Sequence, residues 1–128
     1  MIKIKLRKKF REPNEEDMRP YIEGFNNEIN NMRIVEGKDK KNYHTVKLFE
    51  YFHTNDEFAI VMELCDESLL RLFSKKKYPF SSKKISEVLT PLNNIFKIMA
   101  KNRIVHKDLN LDNILVKYEN KDQTRYRI

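Results

Sequence analysis

Ile104-Val105-His106-Lys107-Asp108-Leu109-Asn110-Leu111-Asp112-Asn113-Ile114-Leu115-Val116 is the stretch on which the reading of this chain turns. An apolar pair leads in and an apolar triplet leads out. Between them stand two carboxylates, an imidazole, an ammonium and two amides. That is too polar for a core strand and too closely bracketed by hydrophobes for a free surface loop. The expectation is a polar loop clamped by two short buried segments, the arrangement by which a rigid scaffold positions reactive groups. Asp108 has the chemistry of a base, and Asn113, five residues on, offers an oxygen to a metal. The same two residues at this spacing could instead cap turns.

Working outward, the 128-residue length suits one domain with one core. Hydrophobic residues at 40%, spread over Phe, Tyr, Leu and Ile, argue for folding and against disorder. The net charge of +7 suits an anionic partner such as a nucleotide, a nucleic acid or a phospholipid head group, and equally a set of solvated lysine-rich faces. One cysteine, Cys65, excludes an internal disulfide framework and fits a reducing compartment. No apolar run is long enough to span a bilayer, and Met1-Ile2-Lys3-Ile4-Lys5 has no apolar signal region. Gly24 and Gly37 are the only glycines, so no glycine-rich phosphate cradle can form.

Residues 1–10 alternate Ile2, Ile4 and Leu6 with Lys3, Lys5 and Arg7, a strand with one buried face that Glu12-Pro13-Asn14 should end. Apolar residues at Ile22, Phe25, Ile29, Met32 and Val35 predict an amphipathic helix over 21–35, closed by Gly37 as a C-cap. Strands are expected over 46–52 and 58–62, the second buried on both sides, with a turn at Thr54-Asn55-Asp56 between them. Asp66-Glu67-Ser68 reads as a helix start, and Ser74 to Pro79 as a loop. A longer helix begins at Ser81 or Ser82, with a kink or restart at Pro91. The tail turns at Asn120-Lys121-Asp122 and ends in a short strand from Thr124.

The opening stretch resembles the catalytic loop of eukaryotic protein kinases, His-Arg-Asp-Leu-x-x-x-Asn, here His106-Lys107-Asp108-Leu109-x-x-x-Asn113. The resemblance implies an α+β protein-kinase-like fold, incomplete. Residues 1–64 would be part of the small N-lobe, with helix C; residues 65–128 would be the hinge and part of the C-lobe. It implies that Asp108 orients a substrate hydroxyl towards the γ-phosphate of ATP and that Asn113 holds Mg²⁺. Leu115 would lie under the adenine ring. Met62 would be the gatekeeper, the Glu63 carbonyl and the Cys65 amide would pair with the adenine edge, and Ser68 would reach the ribose. Glu28 on helix C would pair with a strand lysine, Lys3 in preference to Lys5, and hold it against the α- and β-phosphates. Met32 and Leu48 would join His106 in a packed stack beside the site.

Two departures bear on activity. Lys107 replaces the usual arginine and loses its planar fork for phosphate. Asn110 stands where serine/threonine kinases carry a lysine that contacts the γ-phosphate, and an amide brings no charge. A glycine-rich loop before strand three and the Asp-Phe-Gly motif are missing. The expectation is therefore a fragment of an intracellular serine/threonine kinase, cytoplasmic, weakly active or inactive at this length, with ATP and a protein substrate as its partners. No membrane association is expected, and no feature specifies an oligomeric state. A non-catalytic pseudokinase-like interaction module is the competing reading. A basic nucleic-acid-binding domain rests on charge alone, without the interleaved basic and aromatic motifs such domains carry.

Overall fold

A computed structural model describes residues 2–9, 15–39, 44–54, 57–75, 79–120 and 123–128, with backbone only at 2–9 and 15. The expected turns at 12–14, 55–56 and 121–122, and the loop at 76–78, lie outside the described residues.

The apolar run Phe58 to Met62 becomes the buried centre of strand β3, Glu57–Glu63. Antiparallel strands β1, Ile2–Lys9, and β2, Leu48–His53, flank it in the order β1-β3-β2. Phe58, Ile60 and Met62 share one face of the pleat and form a cluster with Met18, Phe25 and Ile29 of helix α1, Glu15–Lys38. The buried positions Met18, Phe25, Ile29 and Val35 recur at helical spacing, so one stripe of α1 meets the sheet.

Helix α1 is longer than its predicted span at both ends. It runs through Pro20, and it continues past Gly37, which is helical and has no positive φ; the glycine is not a C-cap. The stop comes two residues later. Asp39 closes the last turn, its N–H donating to the carbonyls of Val35 (3.1 Å) and Glu36 (3.2 Å). Its buried carboxylate then accepts the backbone N–H groups of His44 and Thr45 and the Thr45 hydroxyl. A carboxylate holding three donors turns the chain back more firmly than a glycine would.

His44 is thereby carried into a half-buried position. Burial, partly offset by Asp39, holds its imidazole below the ordinary value of 6.5. Below that value the unfolded chain binds the proton first, so stability is level above it and declines as pH falls beneath it. Urea midpoints measured from about pH 7.5 to about pH 5 should fall more steeply in the wild type than in His44→Gln.

The second sheet, β4-β5-β6, is built from Glu67–Ser68, Leu115–Asn120 and Gln123–Arg127. Helix α2, Leu69–Lys75, starts where predicted, the Ser68 hydroxyl accepting the Arg71 N–H at 3.3 Å. Helix α3, Ser82–Lys101, is capped by Ser81 and is continuous through the buried Pro91, so it does not restart there. Leu69, Val88, Leu92, Ile114, Val116 and Tyr126 form the core between α2, α3 and this sheet. Val35 of α1 packs on Ile95 and Met99 of α3, joining the two halves.

The lead-in to the polar loop corrects an expectation. Ile104 is half-buried, but Val105 is 72% exposed and no strand precedes the loop. An apolar groove lined by Leu69, Phe73, Phe80, Ile85, Leu89 and Leu111 opens between α2, α3 and the loop, with Leu89 56% exposed. Among the described residues no helix is long and apolar enough to cross a membrane.

Candidate active site

The loop between α3 and β5 is shaped by two residues in the left-handed region, Arg103 (φ 56°) and Lys107 (φ 65°). Such a turn costs a side-chain-bearing residue about 1 kcal/mol, and here it falls immediately before Asp108. Asp108 follows with its N–H directed at His106 Nδ1, 3.4 Å away. The imidazole thus accepts from backbone, a positioning contact.

Asn113 folds back on Asp108. Its Nδ2 donates to the Asp108 carbonyl at 2.8 Å and to carboxylate Oδ2 at 2.9 Å. Asn113 Oδ1 accepts no hydrogen bond from the described residues. The other carboxylate oxygen of Asp108 takes a bond from Asn110 Nδ2 at 3.1 Å. Asn110 Oδ1 accepts the N–H groups of Asp112 (2.9 Å) and Asn113 (3.1 Å), which curls the loop into a tight turn. The two residues first paired on spacing are therefore in contact, with both carboxylate oxygens oriented by amides. Each oxygen keeps further lone-pair capacity for a ligand. The Asn110 amide is turned into the loop, an orientation that residue type alone does not reveal.

The segment after β3 runs beside this loop. Met62 is buried in the α1 cluster, against which Cys65 and Leu115 also pack. Ser68 Oγ donates to Asp112 Oδ1 at 2.9 Å, tying the start of α2 to the loop. Burial and the Glu63 carboxylate push the Cys65 thiol up, which leaves it a poor nucleophile. Glu67, held down first by Lys75 and then by Tyr118, anchors β4 to β5. It accepts from the Tyr118 hydroxyl at 2.6 Å, and that contact pushes the phenol up to about 12.

Glu28 is half-buried on α1. The backbone of Lys3 pairs with Met62, one residue before the end of β3; the Lys3 side chain lies outside the described residues, as does that of Lys5. Two further basic residues, unremarked in the sequence, grip the same segment from the second sheet. Lys117 Nζ donates to the Leu64 carbonyl at 2.9 Å. Arg127, buried, reaches Glu63 Oε2 at 3.1 Å, the Thr45 carbonyl at 3.1 Å and Glu119 Oε1 at 3.5 Å. Arg125 and Arg127 lie two residues apart on the same face of β6, so the local pattern does not mark Arg127 as the buried one.

Comparison with known proteins finds protein kinases. Serine/threonine-protein kinase 33 of Bos taurus is 32% identical over 80 residues, 62% of this chain and 16% of that protein. A probable serine/threonine-protein kinase of Dictyostelium discoideum is 29% identical over 101 residues, 75% of this chain and 19% of its own length. Homeodomain-interacting protein kinase 4 of Mus musculus is 28% identical over 100 residues, 77% of this chain and 16% of that protein. The chain thus spans under a fifth of the length of each of these three relatives. The protein kinase domain profile matches residues 3–128. With that match running over nearly every residue, the strands flanking a buried centre and the Asp108–Asn113 loop belong to a partial protein kinase domain, and the chain is a member of the eukaryotic protein kinase family.

Proposed function

We propose that residues 1–64 and 65–128 are the two facing parts of a nucleotide cleft, and that the parent polypeptide transfers the γ-phosphate of ATP to serine or threonine hydroxyls of a protein. The observation that carries this is the 2.9 Å bond between Asn113 and the Asp108 carboxylate. A carboxylate held in one orientation can accept the proton of an incoming hydroxyl and keep its oxygen in line. Asn113 uses its NH₂ for this, so its carbonyl oxygen is available to Mg²⁺, a hard ion suited to it. When bound, the ion neutralises charge on the phosphates.

The remaining assignments follow the cleft. The Glu63 carbonyl and Cys65 N–H meet the adenine edge, Leu115 lies below the ring, and Met62 closes the rear. Ser68, with its Asp112 partner, borders the ribose. Glu28 steadies Lys3 against the α- and β-phosphates. The single thiol suits a reducing, cytoplasmic setting. A protein 128 residues long with this loop alone transfers phosphate slowly or not at all. Robust Mg-ATP-dependent labelling of a general protein substrate by the 128-residue chain would refute that last statement.

One observation favours the second reading, a non-catalytic module: the Asn110 amide is committed to the loop, so no cation stands two residues after Asp108. Thermal unfolding with ATP separates the two. The kinase reading expects the midpoint to rise with ATP and to rise further with Mg²⁺, the increment from Mg²⁺ being lost in Asn113→Ala. No shift with either favours the module.

A further inference from the structure

We infer that Lys117 is a positioning residue that selects adenine over guanine, by polarising the peptide group whose N–H faces the base; this rests on the nucleotide reading above. Lys117 sits on β5, 53 residues from the carbonyl it reaches, and its Nζ donates to Leu64 O at 2.9 Å in a half-buried position. The Leu64 carbonyl and the Cys65 N–H belong to one peptide unit. Resonance couples them, so a cation on the oxygen draws density from the nitrogen and makes the N–H a stronger donor. Charge-assisted bonds of this kind are about twice as strong as neutral ones.

The surroundings hold the ammonium in place. On either side of Lys117, Val116 O accepts the Asp66 N–H at 2.9 Å and Tyr118 N–H donates to Asp66 Oδ2 at 2.8 Å, so β5 is fastened to the segment it polarises. Cys65 N–H itself has no acceptor among the described residues. The donor is thus strengthened from behind and left open in front.

The base edges make this a selector. Adenine presents an acceptor nitrogen beside an amino donor, matching Cys65 N–H and the Glu63 carbonyl. Guanine presents an N–H and a carbonyl oxygen in those places, so donor meets donor and acceptor meets acceptor. A stronger Cys65 donor improves the first match and worsens the second.

The test uses the 128-residue chain, Lys117→Met, which keeps most of the side-chain volume, and Lys117→Arg, which keeps the cation. Calorimetric titration with Mg-ATP and Mg-GTP is expected to show ATP affinity lowered about fivefold in Lys117→Met, GTP affinity not lowered, and the ATP preference restored in Lys117→Arg. Without nucleotide, the Cys65 amide proton should move upfield in Lys117→Met and return in Lys117→Arg. Equal weakening of both nucleotides with an unmoved Cys65 amide proton would reduce Lys117 to a structural strut and overturn the proposal. If the wild type binds neither nucleotide, the nucleotide reading falls, and with it the selection of adenine, whatever the amide proton does.

Discussion

Replacing Arg127 with methionine should remove about 3 kcal/mol of stability, a large share of what a domain this size possesses. The guanidinium is 4% exposed and its partner Glu63 14%, so both charges have been taken largely out of water. Their hydrogen-bonded contact offsets that desolvation, and the Thr45 carbonyl gains its donor from the same group. Arg127→Met leaves the Glu63 carboxylate beside an apolar side chain; Glu63→Gln leaves a buried cation with the neutral Thr45 carbonyl at 3.1 Å and the Glu119 carboxylate at 3.5 Å. The double variant strands neither charge. Its cost should therefore be smaller than the sum of the singles by at least about 1 kcal/mol in a urea-denaturation cycle. Strict additivity would show that the pair is exposed in solution and that the segment after β3 is held by its backbone alone.

Asp108→Asn should lower kcat by about a thousandfold in a polypeptide that carries this segment within a complete kinase domain. The substitution preserves shape and leaves the oxygen that Asn113 holds, but it removes the basic site for the hydroxyl proton. On the proposed division of roles, Asp108 acts on the hydroxyl and other groups of the cleft hold the nucleotide, so the Kd for Mg-ATP should change less than about twofold. A comparable loss in nucleotide affinity would move Asp108 from the hydroxyl to the metal, and the division of labour with Asn113 would have to be reversed.

Local signals carried much of this molecule. The unbroken apolar run at Phe58 to Met62 announced a buried strand because nothing in it tolerates water. Ser81 announced α3 because a hydroxyl at that position satisfies a free N–H of the first turn. The five-residue spacing of Asp108 and Asn113 places both in one loop, whereas the bond between them is visible only in the structure. Other features depended on partners remote in the chain. The apolar side chain of Val105 predicts burial, yet it is 72% exposed. Gly37 predicts a stop because glycine so often is one, whereas the chain turns at the buried carboxylate of Asp39. Arg127 and Lys117 were two cations among 26, and only the meeting of the second sheet with the segment after β3 distinguishes them. Propensity describes neighbours, and these roles are set by strangers.

The groove between α2 and α3 leaves Ile85, Leu89 and Leu111 in contact with solvent on a molecule bearing a charge of +7. In dilute buffer, like-charge repulsion keeps copies apart. At physiological ionic strength the screening length shrinks to about 8 Å, less than the width of a helix, and that barrier thins. Electrolyte should therefore govern the colloidal behaviour of this chain, with clear solutions expected at low salt and clustering through the apolar trough as salt is raised, as light scattering would register.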